Sequence, residues 1–199
     1  MICTIWRAHY ARPGAVLKDM RELVRLFMQI ALLRKGPQDL PASVLLLVLT
    51  VLAYVAVNLL VNFALPPLKE LPPAIKGGWL APLLISTLFT LAWYAVLLKL
   101  VRRPERTLQT ATAVFGFQTV LAPLSVAFEW LMRRFGDDSA WQVPITCAGL
   151  LLVAWLIAAN SHIVKAALDW SAMASVALVI LQMVAGWLLL LAIFAPVNS

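Results

Sequence analysis

Leu40–Leu68 reads LPASVLLLVLTVLAYVAVNLLVNFALPPL, 29 residues without an Asp, Glu, Lys or Arg. About 20 apolar residues carry a helix across the hydrocarbon core of a bilayer, so this stretch is long enough to span. Four more charge-free stretches follow, 77–98, 107–128, 139–164 and 170–199, with 22, 22, 26 and 30 residues. All 25 charged residues lie outside these five stretches. The partition predicts an all-α polytopic membrane protein with five transmembrane helices at about 41–63, 79–98, 108–129, 142–162 and 171–195.

Composition agrees with that reading. A hydrophobic fraction of 63% and a mean hydropathy of +0.91 lie far outside the soluble range. The expected organisation is a flexible N-terminus over 1–15, an amphipathic cytoplasmic helix over 16–36, and a single five-helix transmembrane domain over 37–199. The net charge of +7 flanks apolar spans, so the expected partners are the lipid bilayer and its anionic phospholipid headgroups, not nucleic acid. Cys3 and Cys147 form no CxxC and imply no disulfide framework. Residues 1–15 hold Arg7 and Arg12 without an apolar signal-peptide core, so the first span is expected to serve as its own insertion signal. Met20, followed at once by the amphipathic pattern, is a second candidate start.

With five spans, one side of the membrane carries twelve Lys and Arg, among them Arg21, Arg25, Arg34, Lys35, Lys99, Arg102, Arg103, Arg106 and Lys165. The other side carries four, Lys69, Lys76, Arg133 and Arg134. The positive-inside rule then places the N-terminus in the cytoplasm and the C-terminus outside. Abundant Leu and Ala, with Arg exceeding Lys, suit a bacterial cytoplasmic (inner) membrane.

Over residues 16–33, Leu17, Met20, Val24, Phe27 and Ala31 recur at helical spacing, opposite Lys18, Arg21, Glu22 and Arg25. Such a helix either lies flat on lipid or packs under the bundle. Gly36-Pro37 is the expected stop, and Asp39 or Ser43 the expected cap of the first span. The connection 64–78, with four prolines, reads as an extended outer loop. Trp79 reads as an interfacial anchor, and Pro123 is expected to kink or loosen the third span.

The spans contain polar residues at four-residue steps: Thr50, Tyr54, Asn58 and Asn62 in the first, Ser86, Thr90 and Tyr94 in the second. Such sets share one slowly turning helix face. They line either a polar pathway or ordinary interhelical contacts, and packing alone suffices to explain them. Asn58, Asn62, Gln118 and Gln182 are the candidate interhelical hydrogen-bonding residues. Arg21, Arg25, Arg102, Arg103 and Arg106 are the candidate lipid or partner contacts, although a role as topology anchors also accounts for the 99–109 turn. His162 and Asp169, seven apart, form a conceivable acid–base pair but read more simply as interface residues. No catalytic motif and no metal- or cofactor-binding pattern is present in the sequence, so no enzyme is expected.

A basic turn leading to Phe115-Gly116-Phe117-Gln118 and Ala122-Pro123, then Asn160-Ser-His162 and Ala166-Ala167 before a terminal span, resembles the Yip1-type family of five-span membrane proteins over about 40–195. The family's eukaryotic Asp-Leu-Tyr-Gly-Pro signature before the first span is matched only by Asp39-Leu40-Pro41, so no role in Rab-dependent trafficking is carried over. The resemblance implies a non-enzymatic integral membrane scaffold, an assembly partner of a membrane protein complex or a self-associating protein, and brings no catalytic residues. The aligned polar faces and Pro123 leave a small-solute transporter, or its membrane substrate-binding subunit, as the alternative.

Overall fold

The computed structural model describes residues 13–64, 80–136 and 138–194, with side chains over 21–61, 63, 80–136 and 138–194. Six helices follow in order: α1 (Pro13–Ala31), α2 (Val44–Ala64), α3 (Leu80–Leu100), α4 (Thr107–Phe135), α5 (Ser139–Leu168) and α6 (Ala172–Phe194). Among the described residues there is no strand. Among the described residues, helices α2 to α6 are the five long and apolar enough to cross a membrane. The expected outer loop 64–78 and Trp79 lie outside the described residues, apart from Ala64 at the end of α2.

Helix α4 is the hub. It packs against α1, α2, α3 and α5, while α6 rests on α5 and α3. Thr110 to Phe117 are all buried, eight residues in a row. An α-helix turns once every 3.6 residues, so this segment is covered on every side. Small residues make room for that: Ala111, Ala113 and Gly116 let neighbouring elements approach the α4 backbone. The core continues into Phe27 and Ile30 of α1, Tyr94 and Leu98 of α3, and Ile163 and Ala167 of α5. These positions fall near the C-terminus of α3, the N-terminus of α4 and the C-terminus of α5. The dense packing therefore sits at the end of the bundle where α1 docks.

Helix α1 is packed against the bundle. Phe27, Ile30 and Ala31 are buried, and the Phe27 ring lies against Gly116. A Cβ at Gly116 would fall inside the van der Waals envelope of that ring. Val24, Met28 and Leu32 remain 46–51% exposed, so the apolar arc is wider than the surface the bundle covers.

The stop of α1 differs from expectation. Leu33 adopts a left-handed conformation, φ 61°. Arg34 N–H donates to Gln29 O at 2.8 Å and Leu33 N–H to Ile30 O at 2.9 Å, a Schellman closure. Gly36, three residues later, is buried and opens the short 3₁₀ turn Pro37–Asp39. Helix α3 ends in the same way at Arg102, φ 60°, with Arg103 N–H bonded to Leu98 O at 2.8 Å. Ser43 accepts from Leu46 N–H at 3.4 Å at the start of α2, while Asp39 accepts from Gly36 N–H at 3.0 Å within its own turn.

Two helices outrun their expected spans. Helix α4 passes Glu129 and reaches Phe135, because Glu129 pairs with Arg133 one turn on and carries the charges along the helix. Helix α5 begins at Ser139, where Asp138 accepts from Ala140 N–H at 2.9 Å, and runs through Lys165 to Leu168. Trp130, Phe135 and Trp141 form an aromatic cluster at that turn, with centroids 6.1 and 5.0 Å apart. Pro123 sits inside an unbroken α4. Having no N–H, it leaves the Thr119 carbonyl without its usual donor, and an apolar groove of about 540 Å³ between α2 and α4 opens beside it.

Candidate functional site

The polar residues of the spans converge on two adjoining cavities. The larger, about 330 Å³, is lined by Tyr54 and Asn58 of α2, Gln118 and Ser125 of α4, and Asn160 of α5. The smaller, about 200 Å³, is lined by Ser86 and Thr90 of α3, Gln182 of α6, and again Gln118 and Asn160. Gln118, Asn160 and Met183 line both, so the cavities meet there. At 1.5 Å of rise per residue, Gln118, Asn160 and Gln182 lie roughly 12–17 Å from the α1-side ends of their helices. That is near the middle of a hydrocarbon core about 30 Å thick. None of the described residues lining either cavity is ionisable near neutral pH.

Two of the carboxamides bond to the backbone of their own helices. Asn58 Nδ2 donates to Tyr54 O at 2.8 Å, and Asn160 Nδ2 to Leu156 O at 3.0 Å, both within their own helices. These bonds fix the side chains and aim the amide oxygens away from the helix backbone. Gln182 approaches the buried Tyr94 hydroxyl, without closing a hydrogen bond of regular geometry. Asn58, Gln118 and Gln182, the interhelical candidates of the sequence, all line these shared cavities, contributed by α2, α4 and α6. The side chain of Asn62 lies outside the described residues. Asn160, which lines both cavities, is not among the candidates the sequence pattern offers. The charge-free stretch 139–164 holds two carboxamides, Gln142 near its start and Asn160 near its end, and nothing in their spacing singles out Asn160.

A second polar assembly joins the α1–α2 connection to the bundle. Trp155 Nε1 donates to Ala31 O at 2.9 Å, His162 Nε2 lies 3.1 Å from Lys35 O, and Gln109 Nε2 donates to Leu40 O at 2.7 Å. A carbonyl only accepts, so His162 carries its proton on Nε2. Three side chains from α4 and α5 thus strap down the chain between α1 and α2.

The third assembly closes the α1-side ends of α3, α4 and α5. Arg103 pairs with Asp169, and Arg106 reaches the same carboxylate at 3.2 Å. Arg106 also donates to Ala166 O and Ala167 O at 3.1 and 3.0 Å, satisfying carbonyls that the end of α5 leaves open. The Arg103 hydrogen bond, more than the surrounding charge, holds the Asp169 carboxyl below its ordinary value of 3.8. Asp169 itself sits at φ 55°, just past the helix end. His162 and Asp169 therefore engage separate partners and form no acid–base pair. Of the arginines selected from the sequence, Arg103 and Arg106 are committed to Asp169, while Arg21, Arg25 and Arg102 are exposed. Among the described residues no group of three His, Cys, Asp or Glu is placed to hold a metal.

The chain matches no family model, no curated protein and no solved structure.

Proposed function

We propose that this protein is a non-enzymatic scaffold or assembly partner in a bacterial cytoplasmic membrane, similar in plan to the Yip1-type proteins, with its N-terminus in the cytoplasm and its C-terminus outside. The observation that carries the reading is the docked α1. Phe27 and the strap hold this helix in one orientation against α4 and α5. In that orientation Val24 and Met28 border the buried face, and Arg21 and Arg25 lie beyond them. Around the helix the order is bundle, apolar strip, arginines. A helix at the membrane interface needs that order, with lipid against the strip and anionic headgroups against the arginines. A surface held so firmly at the cytoplasmic interface suits recruitment of a partner or of a second copy.

A photo-crosslinking side chain at Met28, and a second at Arg102, tests this in cells. A discrete adduct with one membrane protein, or with a second copy of this chain, is expected from at least one position. Adducts with lipid alone at both positions contradict the scaffold reading. A second reading, small-solute handling within the membrane, is favoured by the uncharged cavities around Gln118 and Asn160.

A further inference from the structure

We propose that the joined cavities between α2, α3, α4, α5 and α6 form a binding site for a small, uncharged, amide-like solute, with Gln118 as its central contact. The inference deepens the solute-handling reading and is independent of the scaffold reading.

Gln118 carries the argument. It faces both cavities, and its carboxamide makes no hydrogen bond to any described residue. At this depth lipid offers nothing to bond with, and an unsatisfied amide there is strongly disfavoured. The occupant must therefore carry hydrogen-bonding groups of its own. It must also be uncharged. Among the described residues no ionised side chain lines either cavity, and an unpaired charge near the bilayer middle is strongly disfavoured.

The donor and acceptor pattern narrows the class further. Every carboxamide offers an N–H donor and a C=O acceptor in one plane. Asn160 spends one N–H on Leu156 O and turns its oxygen outward. Gln118 keeps both functions, and Gln182 stands across the smaller cavity. A planar solute with its own C=O and N–H complements such a set on both counts. A pure acceptor or a pure donor matches only half of it. The larger cavity, about 330 Å³, admits a molecule of a few heavy atoms together with water.

The test uses the full chain in lipid nanodiscs, with Cys3 and Cys147 replaced by Ser. Ser125→Cys places a thiol in the larger cavity and Ser86→Cys one in the smaller. Leu151→Cys, on a lipid-exposed surface, and Met173→Cys, at a well-exposed helix end, set the slow and fast limits of modification by a small methanethiosulfonate. The thiolate reacts, so modification reports water at the site. Both cavity thiols are expected to react several-fold faster than Leu151→Cys. Acetamide or urea is expected to slow them saturably, at least threefold, while acetate and tetramethylammonium do not. Adding Gln118→Met, nearly the same size without the amide, is expected to abolish the protection. Unchanged monodisperse elution and an unchanged slow rate at Leu151→Cys show that this variant is folded, and Gln182→Met serves in its place if it is not.

Three results overturn the proposal: cavity thiols as unreactive as Leu151→Cys, protection that survives loss of both carboxamides, or protection by the charged solutes alone. Proteoliposome swelling with the same solutes separates the two readings. Protection without flux sustains the site and removes transport.

Discussion

The contact between Phe27 and Gly116 gives the most direct handle on the docked helix. Gly116→Ala puts a methyl group where the Phe27 ring lies. The ring cannot stay, and overpacking of this kind costs about 2 kcal/mol. Phe27→Ala removes a ring that is only 6% exposed, at a cost of about 3 kcal/mol. Were the two effects independent, the double variant would lose about 5 kcal/mol. They share one space, however, and the new methyl at 116 partly fills the hole left at 27. The double variant is therefore expected to lose about 3 kcal/mol, a coupling of about 2 kcal/mol. Hydrogen exchange of α1 amides in nanodiscs reads these values directly, where reclosing outruns exchange. At about 1.4 kcal/mol per decade, the expected accelerations are about 30-fold for Gly116→Ala, about 140-fold for Phe27→Ala and again about 140-fold for the pair. An α1 exchange rate unchanged by Gly116→Ala, or a double variant accelerated about 4,000-fold, refutes the reasoning.

Further outcomes follow from the α1-side polar assemblies. Gln109→Leu leaves the buried Leu40 carbonyl unpaired and is expected to lower thermal stability by about 1–2 kcal/mol, read as loss of monodisperse protein after heating. Arg102→Gly relieves a left-handed residue at the end of α3 and is expected to stabilise by about 1 kcal/mol in the same assay. Asp169 is depressed in the folded state, so its contribution is present at neutral pH. That contribution is lost as pH falls below the ordinary value of 3.8 and through the folded one. Asp169→Asn is accordingly expected to lower stability at pH 7 and to flatten its fall as pH drops below the ordinary value of 3.8. An Asp169→Asn profile parallel to that of the parent chain contradicts the Arg103–Asp169–Arg106 arrangement.

The spans were readable because lipid excludes charge so strongly. Every apolar helix found lies over one of the charge-free stretches. Their ends were less readable. Glu129 and Lys165 looked like boundaries, but α4 and α5 carry both past them, since Arg133 neutralises Glu129 one turn away. The stops at Leu33 and Arg102 carried no glycine to mark a left-handed residue. The strap was invisible for a different reason. Its acceptors are the backbone carbonyls of Ala31, Lys35 and Leu40, which leave no trace in side-chain type. Around the cavities, Asn58 was marked by its four-residue series, and Gln118 and Gln182 stood out as amides inside apolar spans. Asn160 lies at the point where both cavities meet, but no periodic polar face in α5 drew attention to it. Spacing along one helix finds residues that share a face. It does not find residues from five helices that share a space.

The proposed arrangement in the membrane requires an odd number of crossings between the two ends of the chain. A reporter active only in the cytoplasm and one active only outside, each fused in turn to the N- and C-terminus, measure this directly. The expected result is cytoplasmic signal from the N-terminal fusion and external signal from the C-terminal one. Signal from the same compartment at both ends contradicts the five-span arrangement.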